Sequence, residues 1–225
     1  MWGVDTTTTI GSSFLTTIKS HVGTPVIVGQ YLDTGGGQHL TSSQATYIHN
    51  QNIGIVLLFS PNDGILATHS SPPFDHPATA QQVADSEAAT AVSEAEAVGA
   101  NPYSGIALYR DVEVGYSISS VYIDQWYSDV TAAGYIPGFY ENSVNGQFEG
   151  AFCAAASTTI SGTYLYATES KKGTSYNRSA APTTYNPYYV VCESAGQMSG
   201  WQYLNSDALP GGPIDVDEFA QVGIF

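Results

Sequence analysis

The chain has 225 residues, of which 43% are hydrophobic and 11% are charged, so it can bury a sizeable core and is not a disordered chain. Only 5 Lys and Arg stand against 20 Asp and Glu, and the formal net charge of -15 argues against a nucleic-acid partner, which needs a basic surface. The longest apolar stretch, 53–59, is far shorter than the roughly 20 residues that cross a bilayer, so we expect no membrane span.

Short apolar segments alternate along the chain with segments of helical period, as in successive βαβ units. Thr41 and Gln44 form a capping-box pattern at the start of the second helical segment. Segment 53–59 is apolar on both faces, as a parallel sheet covered by helices requires. Segment 80–98 is rich in Ala, Val and Glu and precedes Gly99, where a helix C-cap is expected. In chain order, we predict strands at 2–5, 25–31, 53–59, 105–110, 135–140, 163–168, 200–204 and near Ile214, and helices at 12–21, 41–51, 80–98, 120–133 and 144–156.

This order of segments predicts an α/β fold, a single-domain (β/α)8 barrel of the TIM type that spans residues 1–225. Two longer stretches interrupt the alternation. Residues 60–79 carry four prolines and two histidines, and residues 170–187 carry two prolines and three basic residues. Both follow predicted strands, and in such a barrel the loops after the strands build the active face. They are interpreted either as walls of a cleft or as surface insertions.

Acidic residues stand at the carboxyl ends of several predicted strands. In a (β/α)8 barrel, acids at that end are typical of a catalytic site, although each one alone also fits the start of a loop or a helix cap. Because the chain has few charged residues, the set as a whole favours a site. The set comprises Asp5, Asp111, Glu113, Glu141, Asp215 and Asp217.

Asp111 and Glu113 are separated by one residue, so their side chains face the same way if the strand continues, with backbone origins about 6.6 Å apart. Repulsion between them favours one protonated and one ionised carboxyl group. Glycoside hydrolysis needs one carboxyl group in each of these two states, because the protonated group protonates the leaving oxygen while the other stays charged. Arg110 is the nearby cation, and alternation along the strand predicts that it points away from the pocket.

Four short motifs occur in an order that resembles a known enzyme family. Gly-Val-Asp stands at 3–5, Asp-Val-Glu at 111–113, Trp-Gln-Tyr at 201–203 and Ile-Asp-Val-Asp-Glu-Phe at 214–219. Together they resemble the lysozyme-like barrels of glycoside hydrolase family 25, in which such motifs line one pocket. The resemblance covers residues 3–219 and implies a barrel with an acidic pocket.

A resemblance closer in detail is to the related glycoside hydrolase-like domain DUF1906, carried by segments 28–32, 40–44 and 106–111. Two positions depart from these patterns. Asp217 stands where family 25 usually has Asn, and members of the DUF1906 group often carry Asp at the position of Glu113. The DUF1906 resemblance therefore implies an active-site-like pocket and leaves its activity open.

The family 25 resemblance implies roles for individual residues. Glu113 falls on the general acid, and Asp111 falls on the partner carboxylate that stabilises positive charge near the sugar. Asp5 and Asp215 fall on two further acids of the pocket floor, and these four acids form the predicted catalytic set. Aromatic rings stack on the apolar faces of sugars whether or not a bond is then broken. The predicted substrate-binding residues are Tyr140, which such barrels place beside the reacting sugar, together with Tyr31, Trp201, Gln202 and Tyr203.

Three functions stay open from the sequence. The first is a lysozyme-like glycosidase acting on cell-wall or other extracellular polysaccharide of the peptidoglycan type. The second is a catalytically inactive barrel that binds carbohydrate. The third is a metal site around His69, Asp75 and His76, although the chain has neither HExxH nor the spacing of two His on one helix face. We expect no cofactor, no required metal, a polysaccharide partner and a monomer.

Two cysteines, Cys153 and Cys192, are too few for a disulfide scaffold and lack the CxxC spacing of a zinc or redox site. With 16 Tyr and abundant Ser and Thr, the composition favours a secreted or extracellular protein with one disulfide over a protein with two buried thiols. We predict that the two cysteines are bonded to each other.

Overall fold

The computed structural model describes residues 1–32, 39–61, 77–112, 118–142, 148–157, 160–168, 176–187, 192, 196–220 and 223–225. Eight strands form one closed barrel in which every strand pairs with the next along the chain and the last returns to the first. This architecture confirms the predicted α/β barrel. The strands are β1 (Trp2–Thr6), β2 (Ile27–Tyr31), β3 (Gly54–Phe59), β4 (Ala107–Val112), β5 (Ile136–Glu141), β6 (Thr163–Ala167), β7 (Gly196–Leu209) and β8 (Gly212–Phe219).

In the part of the chain that the structure describes, an α-helix follows each of the first five strands, close to the positions that the sequence predicts. After β6, the described segment 176–187 contains only a short 3-10 helix, Arg178–Ala180. Among the residues that the structure describes, no helix is long and apolar enough to cross a membrane. The α-helices within the described residues are α1 (Ser12–His21), α2 (Ser42–His49), α3 (Pro77–Ala97), α4 (Ser120–Ala132) and α5 (Phe148–Ala156).

Two local sequence signals act as predicted at helix ends. At the start of α2, the Thr41 side chain accepts from the Gln44 backbone N–H, and the Gln44 side chain accepts from the Thr41 backbone N–H at 2.7 Å. This reciprocal capping box satisfies two of the donors that a helix N-terminus leaves without partners. Beyond the end of α3, Gly99 has a φ of 95°, a left-handed conformation that glycine adopts without a steric penalty.

The last strand runs in the opposite direction from the others. Strands β1 to β7 pair in parallel, whereas β8 is antiparallel both to β7 and to β1. The cause is the two-residue turn at Pro210 and Gly211, because a parallel neighbour would need a crossover connection of about a dozen residues. Asp5 pairs with Asp215 in the β1–β8 register. The beginning of β8 therefore lies at the same end of the barrel as the end of β1.

Buried side chains form two layers separated by the barrel wall. The larger layer lies between the strands and the helices, and it includes Trp126, Phe139 and Phe152. The smaller layer fills the barrel interior and is rich in tyrosine. Because side chains alternate along a strand, strands β2 to β6 and β8 contribute to both layers. The interior members are Ile27, Tyr31, Val56, Leu58, Ala107, Tyr109, Tyr140, Tyr166 and Phe219.

Gly29 makes room for an acid inside the barrel. A Cβ at position 29 would lie 2.5 Å from the Cβ and 3.3 Å from the Cα of Asp5 on the neighbouring strand. We expect Gly29→Ala to lower the free energy of unfolding by about 1–3 kcal/mol, because the backbone of β1 would have to shift. Gly150→Ala is the matched control, since no atom lies within 4 Å of its added Cβ. Within a helix, that change should stabilise the protein by about 0.5–1 kcal/mol. Urea unfolding checks both values, and equal effects of the two variants would contradict the prediction.

The cysteines form the predicted disulfide. Cys153 lies in α5 and is bonded to Cys192, with the two Cα atoms 5.5 Å apart and 39 positions apart in the chain. The bond therefore ties α5 to the part of the chain before β7. This confirms the pairing that the even count and the composition predict.

Candidate functional site

The polar residues of the barrel interior gather at the carboxyl ends of the parallel strands. Asp5 and Asp111 are each the second-last residue of their strands, β1 and β4, and Tyr140 and Tyr166 lie near the ends of β5 and β6. The antiparallel strand β8 brings Asp215 and Asp217 to the same interior, because they alternate in phase with the interior residue Phe219. Of the predicted catalytic acids, Asp5, Asp111 and Asp215 are thus placed at one end of the barrel. Glu113 lies outside the described residues.

Asp5 is the centre of a hydrogen-bonded group. It is 1% exposed, and the Tyr166 hydroxyl donates to its Oδ2 atom at 3.0 Å. The Tyr140 hydroxyl lies 3.5 Å from the same oxygen and donates to Gln202 Oε1 at 2.7 Å. The rings of Tyr140 and Tyr166 pack edge to face. These contacts hold the Asp5 carboxyl group, two tyrosines and one amide in a single rigid arrangement.

Asp217 is fully buried beside this group. Burial raises the pKa of its carboxyl group well above the usual range, and the charge of Asp215 adds to the rise, while Tyr166 and Asp5 oppose it. No donor among the described residues has hydrogen-bond geometry to either Asp217 oxygen, although Tyr166 and Asp5 lie near enough to affect its titration. A carboxyl group in this position favours the protonated form.

The raised pKa of Asp217 predicts that Asp217→Asn changes the free energy of unfolding by an amount that depends on pH. A folded pKa above the unfolded value means that wild-type stability falls as the pH rises above about 4, where the unfolded carboxyl ionises first. Asn does not titrate, so the variant should gain stability relative to wild type between pH 4 and pH 8. Urea unfolding at both pH values measures this gain. Asp85→Asn, the same change on the exposed surface of α3, is the control, and a gain that is equal at both pH values would contradict the prediction.

Tyr166 is a site residue that the sequence analysis did not single out. Burial raises the pKa of its hydroxyl well above the usual range, and the charges of Asp217 and Asp5 add to the effect. The hydroxyl therefore stays protonated and serves as a donor to Asp5. The available signal was the position of Tyr166 near the end of the predicted strand 163–168. It carries little weight in a chain with 16 Tyr residues.

Asp111 faces the same interior. It is 5% exposed and pairs in register with Tyr140 on β5. Strand β4 ends at Val112, and Glu113 lies outside the described residues. That Asp111 and Glu113 face the same way therefore stays a prediction. Glu141, the acid at the end of β5, is buried and alternates out of phase with Tyr140. Glu141 is therefore assigned to the layer outside the barrel wall.

The predicted substrate-binding residues divide between the two layers. Tyr31 and Tyr140 belong to the interior cluster, and Gln202 reaches the interior through its contact with Tyr140. Trp201 and Tyr203 instead belong to the outer layer. The Trp2 Nε1 atom donates to the Tyr203 hydroxyl at 2.9 Å, and burial raises the pKa of Tyr203 to about 12. The Trp-Gln-Tyr motif therefore directs only its central residue into the barrel.

Arg110 points away from the pocket, as alternation predicts. Its guanidinium lies on the helix side of β4 and contacts Glu87 of α3 and Tyr122 of α4. The other sequence candidates for a metal, His69, Asp75 and His76, lie outside the described residues. In the part of the chain that the structure describes, no three His, Cys, Asp or Glu side chains converge in a way that could hold a metal ion.

No protein-family model and no curated protein matches the chain. Among solved structures, an uncharacterized protein of B. stearothermophilus is similar over 100% of both chains, with a TM-score of 0.81 and 20% sequence identity. The CTP1L endolysin is similar over 98% of this chain and 66% of its own, at 11% identity and a TM-score of 0.49. The bacterial lysozyme from Streptomyces coelicolor is similar over 99% of this chain and 93% of its own, at 12% identity and a TM-score of 0.49. Of these three similarities, only the one with a TM-score of 0.81 is used, and it shows that the two proteins share a fold.

Proposed function

We propose that the chain is a glycoside hydrolase-like barrel that acts on cell-wall or other extracellular polysaccharide of the peptidoglycan type. The observation that carries the proposal is the placement of Asp5, Asp111 and Asp215 at one end of the barrel, on strands β1, β4 and β8. Active sites of such barrels lie at the carboxyl ends of the strands. The order of sequence motifs that resembles family 25 supports the same assignment.

In the proposed reaction, Glu113 donates a proton to the glycosidic oxygen as the bond to the sugar carbon breaks. Asp111 stays ionised and stabilises the positive charge that develops on the sugar ring. A water molecule then adds to that carbon, and its proton returns to a carboxylate. Asp5, held by the Tyr166 hydroxyl, and Asp215 form the pocket floor. In this proposal Tyr140, which donates to Gln202 and lies 3.5 Å from an Asp5 oxygen, is the tyrosine beside the reacting sugar.

Incubation with purified peptidoglycan and a panel of neutral glycans tests this proposal. We expect new reducing ends to appear with time on at least one substrate, and none with the heat-denatured protein. Co-sedimentation with the insoluble glycan measures binding separately. Failure to release reducing ends from every glycan tested, together with no binding, would reject the proposal.

A catalytically inactive barrel that binds carbohydrate is the second candidate function. The observation that favours it is burial, since Asp5 and Asp111 are only 1% and 5% exposed. Acids that are so enclosed can orient a bound sugar through tyrosine hydroxyls without reaching its glycosidic oxygen. Tight co-sedimentation with glycan and no release of reducing ends would select this function over hydrolysis.

We infer an extracellular location from the disulfide. Bonds such as Cys153–Cys192 form and persist in oxidising compartments and are rare in the cytosol. Extracellular polysaccharide is also the substrate class that the proposed reaction requires. Fractionation of producing cells, with detection of the intact disulfide in the medium, checks this assignment.

A further inference from the structure

A buried ion pair lies behind the strand that carries Asp111. Arg110 is 1% exposed, and its Nε atom donates to Glu87 Oε2 at 2.9 Å and to the Tyr122 hydroxyl at 3.0 Å. The Tyr122 hydroxyl also donates to Glu87 Oε2. Glu87 belongs to α3 and Tyr122 to α4, so the cluster of Arg110, Glu87 and Tyr122 joins two helices to β4. We name it the Arg110 cluster.

The Arg110 cluster also reaches the end of β4 directly. The Nη1 atom of Arg110 donates to the main-chain carbonyl oxygen of Asp111. A hydrogen bond from a charged donor is stronger than one between neutral groups, so it restrains the backbone at this carbonyl. The Asp111 side chain, on the opposite face of the strand, extends from the same restrained residue. The guanidinium therefore influences the interior carboxylate from outside the barrel wall.

The charge of Arg110 is preserved despite its burial. Burial by itself lowers the pKa of Arg110, but the contributions of Tyr122, Glu87 and Asp111 outweigh burial, and the net change is upward. The attraction between Arg110 and Asp111 acts on both groups, so it also favours the ionised form of Asp111. On the strands beside β4, the residues level with Arg110 are Phe59 and Phe139, which carry no charge. Among the described residues, the charged and titratable groups that act on Arg110 are Glu87, Tyr122 and Asp111. On the interior side, Asp111 is level with Tyr140 and shares the barrel with Asp5, Asp215 and Asp217.

Stability alone does not account for this cluster. Replacing a buried ion pair with well-packed apolar side chains of similar volume is often neutral or stabilising. The chain has only 5 Lys and Arg in 225 residues, and it buries one of them behind an acid of the candidate site. A role in the site explains why the guanidinium lies behind Asp111 despite the free-energy cost of removing it from water.

We propose that Arg110 is a positioning residue for Asp111. Its guanidinium holds the main chain of Asp111 from behind β4 and places a fixed positive charge on the outer side of the residue that carries the interior carboxylate. The inference rests on the proposed function for its catalytic meaning. The effect of Arg110 on the position and charge state of Asp111 is expected in a hydrolase and in a carbohydrate-binding barrel alike.

The test replaces the three polar side chains of the Arg110 cluster with apolar side chains of similar volume. The triple variant is Glu87→Leu, Arg110→Met and Tyr122→Phe. Carboxyl carbon NMR across a pH titration follows Asp111, assigned by its loss in Asp111→Asn. The triple variant removes one positive and one negative charge, and of the two only Arg110 donates to Asp111 itself. Loss of the positive charge should therefore dominate, and we expect Asp111 in the triple variant to titrate at higher pH than in wild type. If the protein is a hydrolase, kcat/KM at neutral pH should also fall about ten-fold, mainly through kcat, because a misplaced carboxylate loses transition-state stabilisation.

Tyr135→Phe is the matched control, because it removes a buried tyrosine hydroxyl that donates to the Ala100 carbonyl at 2.6 Å, away from the cluster. The control should lose stability and leave the titration of Asp111 unchanged. Arg110→Lys provides a second test if the triple variant does not fold, since it keeps the charge but not the fork of donors. In Arg110→Lys, Asp111 should titrate as in wild type while turnover falls.

Two outcomes would overturn the inference. One is a folded triple variant in which Asp111 titrates at the wild-type pH. The other is an Arg110→Lys protein in which Asp111 titrates at higher pH, as if the charge were lost. Absence of glycan hydrolysis in the wild type would reject the proposed catalytic function instead, and the NMR titration would still decide the role of Arg110.

Discussion

Glu113→Gln should remove nearly all release of reducing ends from glycans with poor leaving groups. The general acid must carry a proton to protonate the glycosidic oxygen, and an amide of the same shape cannot donate one with comparable acidity. Its stability should be unchanged or higher, because the substitution removes one negative charge from a group of acids in a chain of net charge -15. Measurement of turnover and of urea unfolding on the same preparation separates these two effects.

Glu96→Gln is the matched control, because it makes the same chemical change at an exposed position of α3. It should keep wild-type turnover. The pH profile of the wild type adds an independent check, since activity should fall at alkaline pH when the acid loses its proton and at acidic pH when its partner gains one. Wild-type turnover in Glu113→Gln would exclude this residue as the acid. An inactive variant that is also badly destabilised would make Glu113 a structural residue.

Removal of the disulfide should have the largest effect on stability. The bond between Cys153 and Cys192 closes a loop of 39 positions, and in the chain-entropy model such a loop stabilises the fold by about 4 kcal/mol. The double variant Cys153→Ser and Cys192→Ser should therefore lose about that free energy of unfolding. For a chain of this length, the corresponding fall in Tm is roughly 8–16 °C.

Wild-type protein unfolded under reducing conditions is the control for this prediction, because it lacks the bond but keeps both sulfur atoms. It should match the double variant to within about 1 kcal/mol. If the reduced protein were as stable as the oxidised protein, the loop-closure argument would be wrong for this chain.

Local signals predicted the parts of the fold that depend on neighbouring residues. The capping box of Thr41 and Gln44 and the positive φ of Gly99 are short-range features, and both occur as expected. The direction of Arg110 follows from alternation along a single strand, which is also a local rule. The order of the strands followed from the alternation of apolar and helical segments, since consecutive parallel strands joined by helices pair with their neighbours.

Two features could be assigned only from the closed barrel. They are the direction of β8 and the faces of the barrel wall to which the residues of the Trp-Gln-Tyr motif point. A two-residue turn at Pro210 and Gly211 reverses the chain, and the reversal brings Asp215 level with Asp5. Alternation tells which of Trp201, Gln202 and Tyr203 share a face, but not which face is the interior. That choice depends on contacts with Tyr140 and Trp2, which lie far away in the sequence.

The amino-acid sequence by itself determined the barrel, the order of its elements, the pairing of its cysteines and the position of Asp5 and Asp111 near the ends of their strands. Only the tertiary structure decided that Tyr166 donates to Asp5 and that Asp217 is buried beside them. It also decided that Arg110 holds the end of β4 from behind. The reason is physical, because the protonation and direction of a buried polar group depend on the dielectric and on partners that folding brings from remote positions.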